Sequence, residues 1–360
     1  MLFQYTNIDR STIRLVKFLP YSTPTNIYLS LEHQSRYHES NVRYNALSYV
    51  CGDINDRQSI TMGGRTFLVT SNLFAALSAM VQHHDISTRF WVDSICINQQ
   101  DPIEKSMEAN QIWRIFSHAS KVISWIGPPD ENSGKAFNVL NQDSSDGEGL
   151  VASSILNREY FRRAWVRAEV LSSRSAEILC GEHKCDFTSL QTFLQNQDAT
   201  KDIPTSTLQL IQSHGTQTPE PSTSLPEHLQ SLLEEYANSH TSDPRDRIFA
   251  LLNDPRMQIV DSIDPPSISY THSAETIALR VILFSDKLSL QTATSQEAPS
   301  IQPFLTSLAK ALDLPDGIPA FSKMVQGLLE NSDSAPEIDR SGPVMQTLCS
   351  KSESGEKSRY

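Results

Sequence analysis

The polar residues between positions 93 and 101 form the densest group able to do chemistry. Asp93, Cys96, Asn98, Gln99 and Asp101 follow one another within FWVDSICINQQD. Asp93 stands in an otherwise apolar run, where a carboxylate is costly unless it is hydrogen-bonded or paired. Two roles fit it: anchoring the loop's backbone amides or a nearby arginine, or contacting a ligand. Cys96 has the chemistry of a nucleophile, but a nucleophilic thiol needs a base, and this loop has no histidine. A small buried thiol packing the loop fits better. Glu169, beside the apolar face of EYFRRAWVRAEVLS, is a second candidate carboxyl, either an acid/base group or a partner for Arg162, Arg163 or Arg167. Cys180, His183 and Cys185 make a compact C-x-x-H-x-C, but zinc wants four ligands and no second Cys/His pair follows. No metal or cofactor is expected. Phosphate-loop, dinucleotide-turn, nucleophile-elbow and H-E-x-x-H motifs are absent.

These residues need elements to hold them. Residues 89–127 read as strand, polar loop, amphipathic helix and second strand, a βαβ unit with parallel strands and a ligand-binding loop at the strand end. Asp101, Pro102 and Glu104 look like an N-cap, a first-turn proline and the acid of a capping box. Residues 13–19 and 26–31 suggest two strands and residues 44–51 a central one. Residues 58–69 suggest a hairpin turning at Gly63-Gly64, before a helix capped by Ser71 or Asn72. A short helix and an acidic, Ser-rich loop are expected before residue 150. Residues 159–172 read as one helix with Phe161, Ala164, Trp165, Ala168 and Leu171 facing inward, and residues 176–181 as a strand.

The expected class is therefore α/β, a mainly parallel sheet with flanking helices and a β-hairpin. Its core spans 1–195, followed by a linker or surface excursion at 196–226 rich in Thr, Gln, Ser and Pro. Helices are expected at 229–236, from Asp243 to 252, at 270–284, at 303–312 and at 320–329. Residues 227–286 continue the core region, 287–360 read as a poorly ordered extension, and the last thirty residues as disordered.

The totals set limits on function. Thirty basic residues against 42 acidic ones give a net charge of −12, which disfavours nucleic acid. Five scattered cysteines fit reduced thiols in an intracellular protein. No stretch reads as a signal peptide or a membrane span. The expectation is a cytoplasmic protein, with a nuclear location also compatible.

Taken together, YNALSYVCGD, ITMGGRTFLVTSNLFAAL, FWVDSICINQQDPIEKS, IFSHASKVISWIG, FRRAWVRAEV, ILCGEH, DPRDRIFALLND and ISYTHSAET resemble the fungal heterokaryon incompatibility (HET) domain. The matching motif positions include Tyr49, Gly52, Asp53, Trp165, Arg245 and Asp246 besides the 93–101 loop. The resemblance implies non-self recognition between fused cells ending in programmed cell death, with protein partners that include self-assembly. It also implies a fold remotely similar to TIR domains, some of which signal by assembly while others cleave NAD with a glutamate. By that analogy NAD is a substrate, with Glu169 the first choice for the working carboxyl and Asp93 the second. Cys51, Glu108, Ala168 and Asn253 depart from the family's usual Trp, Gln, Gln and Gly, and a downstream Trp-rich motif is missing. Those losses leave open a diverged, non-toxic regulator, such as one associated with a biosynthetic gene cluster. Losing a large aromatic at position 51 would remove apolar burial if the position is in the core.

Overall fold

Short turns decide much of the topology. The computed structural model describes residues 3–36, 43–141, 149–195, 202–215, 225–257, 265–267, 269–291, 301–330 and 342–356. It forms two compact units, Met1–Thr216 and Gln217–Tyr360.

In the first unit, β1 (Thr12–Phe18) and β2 (Tyr28–Ser35) pair antiparallel in register from Thr12 opposite Ser35 to Phe18 opposite Leu29. The central strand is β3 (Asn45–Tyr49). A tight hairpin joins β4 (Arg57–Met62) to β5 (Arg65–Thr70) through Gly63 and Gly64, whose φ angles of 57° and 74° a side chain would resist. Then come α1 (Ser71–His83), β6 (Arg89–Trp91), α2 (Asp93–Cys96), α3 (Pro102–Ala109), α4 (Ile112–His118) and β7 (Lys121–Trp125). The unit continues with α5 (Ser133–Asn141), α6 (Gly149–Leu156), a 3-10 turn (Glu159–Arg162), α7 (Ala164–Ser172), β8 (Ala176–Cys180), β9 (His183–Asp186), α8 (Phe187–Phe193) and α9 (Thr205–Ser213).

The nine-stranded sheet has the order β5-β4-β2-β1-β6-β3-β7-β8-β9. It is mixed rather than mainly parallel. Four pairings are parallel, namely β4 with β2, β6 with β3, β3 with β7 and β7 with β8; the other four are antiparallel. The physical reason is turn length. The connections at residues 19–27, 63–64 and 181–182 are too short for a crossover, so they can only make antiparallel neighbours. Parallel pairing survives in the block β6-β3-β7-β8, whose strands are linked through helices.

The 89–127 unit keeps its parallel strands, but β3 lies between them. The strand expected through Ile95 stops at Trp91, and Asp93 opens a helical turn instead of interrupting a strand. The single helix expected after Asp101 is two. Asn110 Nδ2 bonds back to the Ser106 carbonyl at 2.7 Å at the break, a local side-chain bond that competes with helix continuation. Helix α1 is capped by Thr70, which accepts from Leu73 N at 3.3 Å, rather than by Ser71 or Asn72. Those two work elsewhere: Ser71 Oγ bonds Asp56, and Asn72 ties the Val50 carbonyl at 2.6 Å to the Trp125 indole at 3.0 Å. The acidic segment 142–148 lies outside the described residues.

Within the composition-defined linker, residues 205–213 are helical, with Leu210 and Ile211 fully buried; residues 196–201 and 216–224 lie outside the described residues.

The second unit holds α10 (Leu225–Tyr236), α11 (Arg245–Leu252), α12 (Ala274–Gln291), α13 (Ile301–Leu312), α14 (Ile318–Glu330) and α15 (Pro343–Glu356). The helix expected over 270–284 starts four residues later and runs to Gln291. Helix α15 falls inside the stretch expected to be disordered. Its Val344, Met345 and Leu348 are buried, and the buried Asp286 carboxylate accepts from Val344 N and Met345 N at 2.8 and 2.9 Å. A side-chain cap from a distant helix carries no signal in the local composition. Among the described residues, no helix is long and apolar enough to cross a membrane.

Candidate functional site

Strand β3 is the place where the parallel block changes direction. The chain leaves it for β6 on one side and then crosses to β7 on the other. In open α/β sheets the crevice beyond the strand carboxyl ends at such a point is where ligands bind. Ser48 and Tyr49 end β3, Asp93 and Ser94 follow β6 directly, and Ser124 lies opposite Ser48 on β7.

Helix α7 packs on β3 and β7 and brings Glu169 to this crevice. Ser48 Oγ donates to Glu169 Oε2, and the Ser48 and Tyr160 hydroxyls are 2.8 Å apart. With the Ser48 proton directed at the carboxylate, Tyr160 must be the donor to Ser48. The result is an ordered chain, Tyr160 to Ser48 to Glu169. Ser48 and Tyr160 are each 1% exposed, while Glu169 is partly accessible.

Burial of the Glu169 carboxyl is the largest influence on its acidity and pushes its pKa up to about 7, against the opposing pull of Arg163 and Ser48, with Asp93 adding to the rise. Asp93 is raised as well, first by burial, although Tyr49, Ser94 N, Arg163 and Lys105 all favour its charged form. Its Oδ1 accepts from Ser94 N at 2.6 Å, and Tyr49 OH donates to Ser94 Oγ at 2.7 Å. The guanidinium of Arg163 donates to the Tyr49 carbonyl and lies near both carboxyl groups. Two carboxyls from separate sequence regions thus meet around one arginine.

The remaining loop residues build rather than react. Asp101 caps α3, accepting from Ile103 N at 2.9 Å and Glu104 N at 3.1 Å. Glu104 does not close a capping box: its carboxylate meets Arg14 at 2.5 Å and accepts from Asn98 N at 2.7 Å. Asn98 Oδ1 accepts from Gln100 N, and Gln99 Nε2 donates to the Asp93 carbonyl at 3.1 Å. Cys96 is 2% exposed, its sulfur accepts from Val92 N, and burial pushes its pKa up to about 12, so it is no nucleophile at neutral pH. Gly52 holds φ at +76°, where an added Cβ would press on Asn72 at 3.1 Å, and Asp53 accepts from Asn55 N. Trp165 is only partly buried against the core. Arg245 and Asp246 belong to the second unit. There Arg245 grips Asp243 and the carbonyls of Tyr270 and His272, and Tyr270 OH donates to Asp246 at 2.5 Å.

Cys180 Sγ contacts Arg158 and Ser133, and His183 stacks on Phe137. Among the described residues no group of three His, Cys, Asp or Glu is placed to hold a metal ion.

Ser48 and Tyr160 were missed in the sequence. A serine inside the apolar run of β3 was the available signal for the first. Arg163 was one of three options for pairing Glu169; Arg162 is exposed, and Arg167 donates to the Ser206 carbonyl.

Residues 44–169 match the family model of the heterokaryon incompatibility protein (HET). The chain carries a HET domain. Its matched span begins at β3 and ends at Glu169, so it encloses the whole crevice set. The chain is also similar to heterokaryon incompatibility protein 6, OR allele, of Neurospora crassa, 34% identical over 109 residues. That alignment covers 27% of this chain and 16% of the relative, so the chain matches less than a fifth of that relative's length. No solved structure gives a significant match.

Two of the family departures read differently in three dimensions. Cys51 is exposed at the crevice mouth, so no core cavity follows from the missing aromatic. Asn253 has φ −96° and its amide bonds the Phe249 carbonyl at 2.9 Å, closing α11 without a glycine. Glu108 is paired with Arg36 at 2.5 Å, and Ala168 is fully buried beside Glu169.

Proposed function

We propose that this HET-domain protein is an effector of programmed cell death in heterokaryon incompatibility, and that it acts by hydrolysing the glycosidic bond of NAD at Glu169. The observation that carries this reading is a partly accessible glutamate with a pKa near 7, held by Ser48 and Tyr160 at the carboxyl ends of the parallel strands. A group balanced between its two forms at neutral pH suits proton transfer. In the reaction, water attacks ribose C1′ and Glu169 accepts the water's proton. The bond from C1′ to the pyridinium nitrogen breaks, its electron pair stays on nitrogen, and nicotinamide leaves neutral. Arg163 and Asp93 flank the ribose, and Ser48 keeps the carboxylate aimed. Ser48, Tyr160 and Arg163 support this reading, because they give Glu169 a hydrogen-bonded orientation and a nearby cation.

Nicotinamide release from NAD by the purified full chain tests this. Glu169→Gln is expected to lower release by about 100-fold or more, the scale of losing a general base. Wild-type activity should rise with pH through about 7 as the carboxylate forms. Absence of release at high protein concentration, or release indifferent to Glu169→Gln, would overturn the reading. Growth arrest on expression in a fungal host, lost in Glu169→Gln, tests the cellular half.

A further inference from the structure

The second unit contains a groove that the crevice chemistry does not use. Helix α14 contributes Ala320, Phe321, Met324, Gly327 and Leu328, which fall on one face at helical spacing. Leu314 and Pro315, between α13 and α14, and Ser273 and Glu275, at the start of α12, complete most of the lining. The groove encloses about 500 Å³, the size of a small-molecule cleft. Phe321 is buried, whereas Leu314, Met324 and Leu328 are only half-buried, so apolar side chains are left facing the open space.

Two observations say what such a groove accepts. The first is Gly327. Glycine inside a helix costs stability relative to alanine. Here the backbone does not require it, because Gly327 is not among the glycines with positive φ. Neighbours do not require it either, since an added Cβ would meet nothing within 4 Å among the described residues. What the missing side chain provides is room in the groove. The second observation is charge. Glu275 and Lys323 both line the groove, and neither side chain has a hydrogen bond or ion pair with a described residue. A carboxylate entering the groove would gain Lys323 but meet Glu275, and an ammonium would do the reverse. A hydroxyl can use both, because it donates to a carboxylate while accepting from an ammonium.

We infer that this groove binds an uncharged apolar alcohol, its hydrocarbon part against Phe321, Met324 and Leu328 and its hydroxyl between Glu275 and Lys323. The site is independent of the crevice and of the reaction proposed there.

Displacement of the neutral fluorescent probe N-phenylnaphthylamine from the full-length chain by decanol, decanoate and decylamine, each below its micellar concentration, tests it. Decanol is expected to displace the probe at about tenfold lower concentration than either ion, the size of one hydrogen bond to a charged group. The two charge variants should act in opposite directions. Glu275→Gln is expected to strengthen decanoate several-fold, and Lys323→Gln to strengthen decylamine, with neither helping the other ion. Gly327→Leu should fill the groove and weaken decanol by at least about tenfold. It should do so without lowering Tm, because leucine suits a helix better than glycine. No displaceable probe binding, equal displacement by the three ligands, decanol binding indifferent to Gly327→Leu, or ion preferences unmoved in both charge variants would overturn the inference. If Gly327→Leu does not fold, the charge variants decide, since those side chains have no bond to a described residue to lose.

Discussion

The ionised form of Glu169 costs the fold stability. A carboxyl whose folded pKa is raised to about 7 is less favourable to ionise in the native state than in the unfolded chain, where its usual value is 4.5. Its contribution therefore turns unfavourable as pH rises from 4.5 towards 7, and the full penalty is present above that. Glu169→Gln is expected to raise unfolding stability at pH 8 by about 1–3 kcal/mol and to change it little at pH 4. Denaturant titration at both pH values checks this. Ser48→Ala removes the donor that favours the charged form. The rise of the pH–rate profile should then move to higher pH, whereas a merely structural serine would lower activity without moving the profile. At this scale the sequence showed both carboxyls but not their meeting. Asp93 and Glu169 lie on either side of β7 in the chain, and only sheet order and the docking of α7 bring them to one arginine.

The elements are held by buried charge as well as by apolar packing. Arg14, on β1, is 1% exposed; it bonds Glu104, the Cys96 carbonyl at 2.9 Å and the Thr6 carbonyl at 2.7 Å. One guanidinium thus pins β1, the site loop and α3. Glu104→Ala would leave that charge buried without its partner and should cost about 3–5 kcal/mol, measured by chemical denaturation. Glu177, on β8, behaves in the opposite sense to Glu169. Although burial pushes its pKa up, His84 and Lys121 outweigh it and bring it down to about 2; His84 Nε2 lies 3.1 Å from it and Lys121 Nζ 3.0 Å. Its stabilising contribution is present above the ordinary value of 4.5 and fades as pH falls from there to about 2. Glu177→Gln should therefore flatten the acid limb of a stability-versus-pH curve. Element type was largely legible, because hydrophobic periodicity and glycine turns are local. Breaks were not. Arg163, with ψ 140°, splits the helix expected over 159–172, and its reason is the Tyr49 carbonyl, which lies more than a hundred positions away in the chain.

For the whole molecule, the division at residue 216 is the main organising fact. All of the crevice residues lie in the first unit, and the family match ends inside it. Met1–Thr216 expressed alone is expected to fold as a cooperative unit, which a single sharp thermal transition by circular dichroism would verify. The second unit was under-read in the sequence because its final helix is capped by Asp286, fifty-eight positions before the first amide it receives.

The placement of β3 between β6 and β7 also sets a birth order. Ser48 leaves the ribosome early, but Asp93, Arg163 and its own partners Tyr160 and Glu169 emerge over the next 121 positions. Until α7 has docked, a nascent or truncated chain has strands but no crevice. Whatever the crevice does, it is therefore absent throughout most of the chain's synthesis, and any chain that stops before Glu169 lacks it for good.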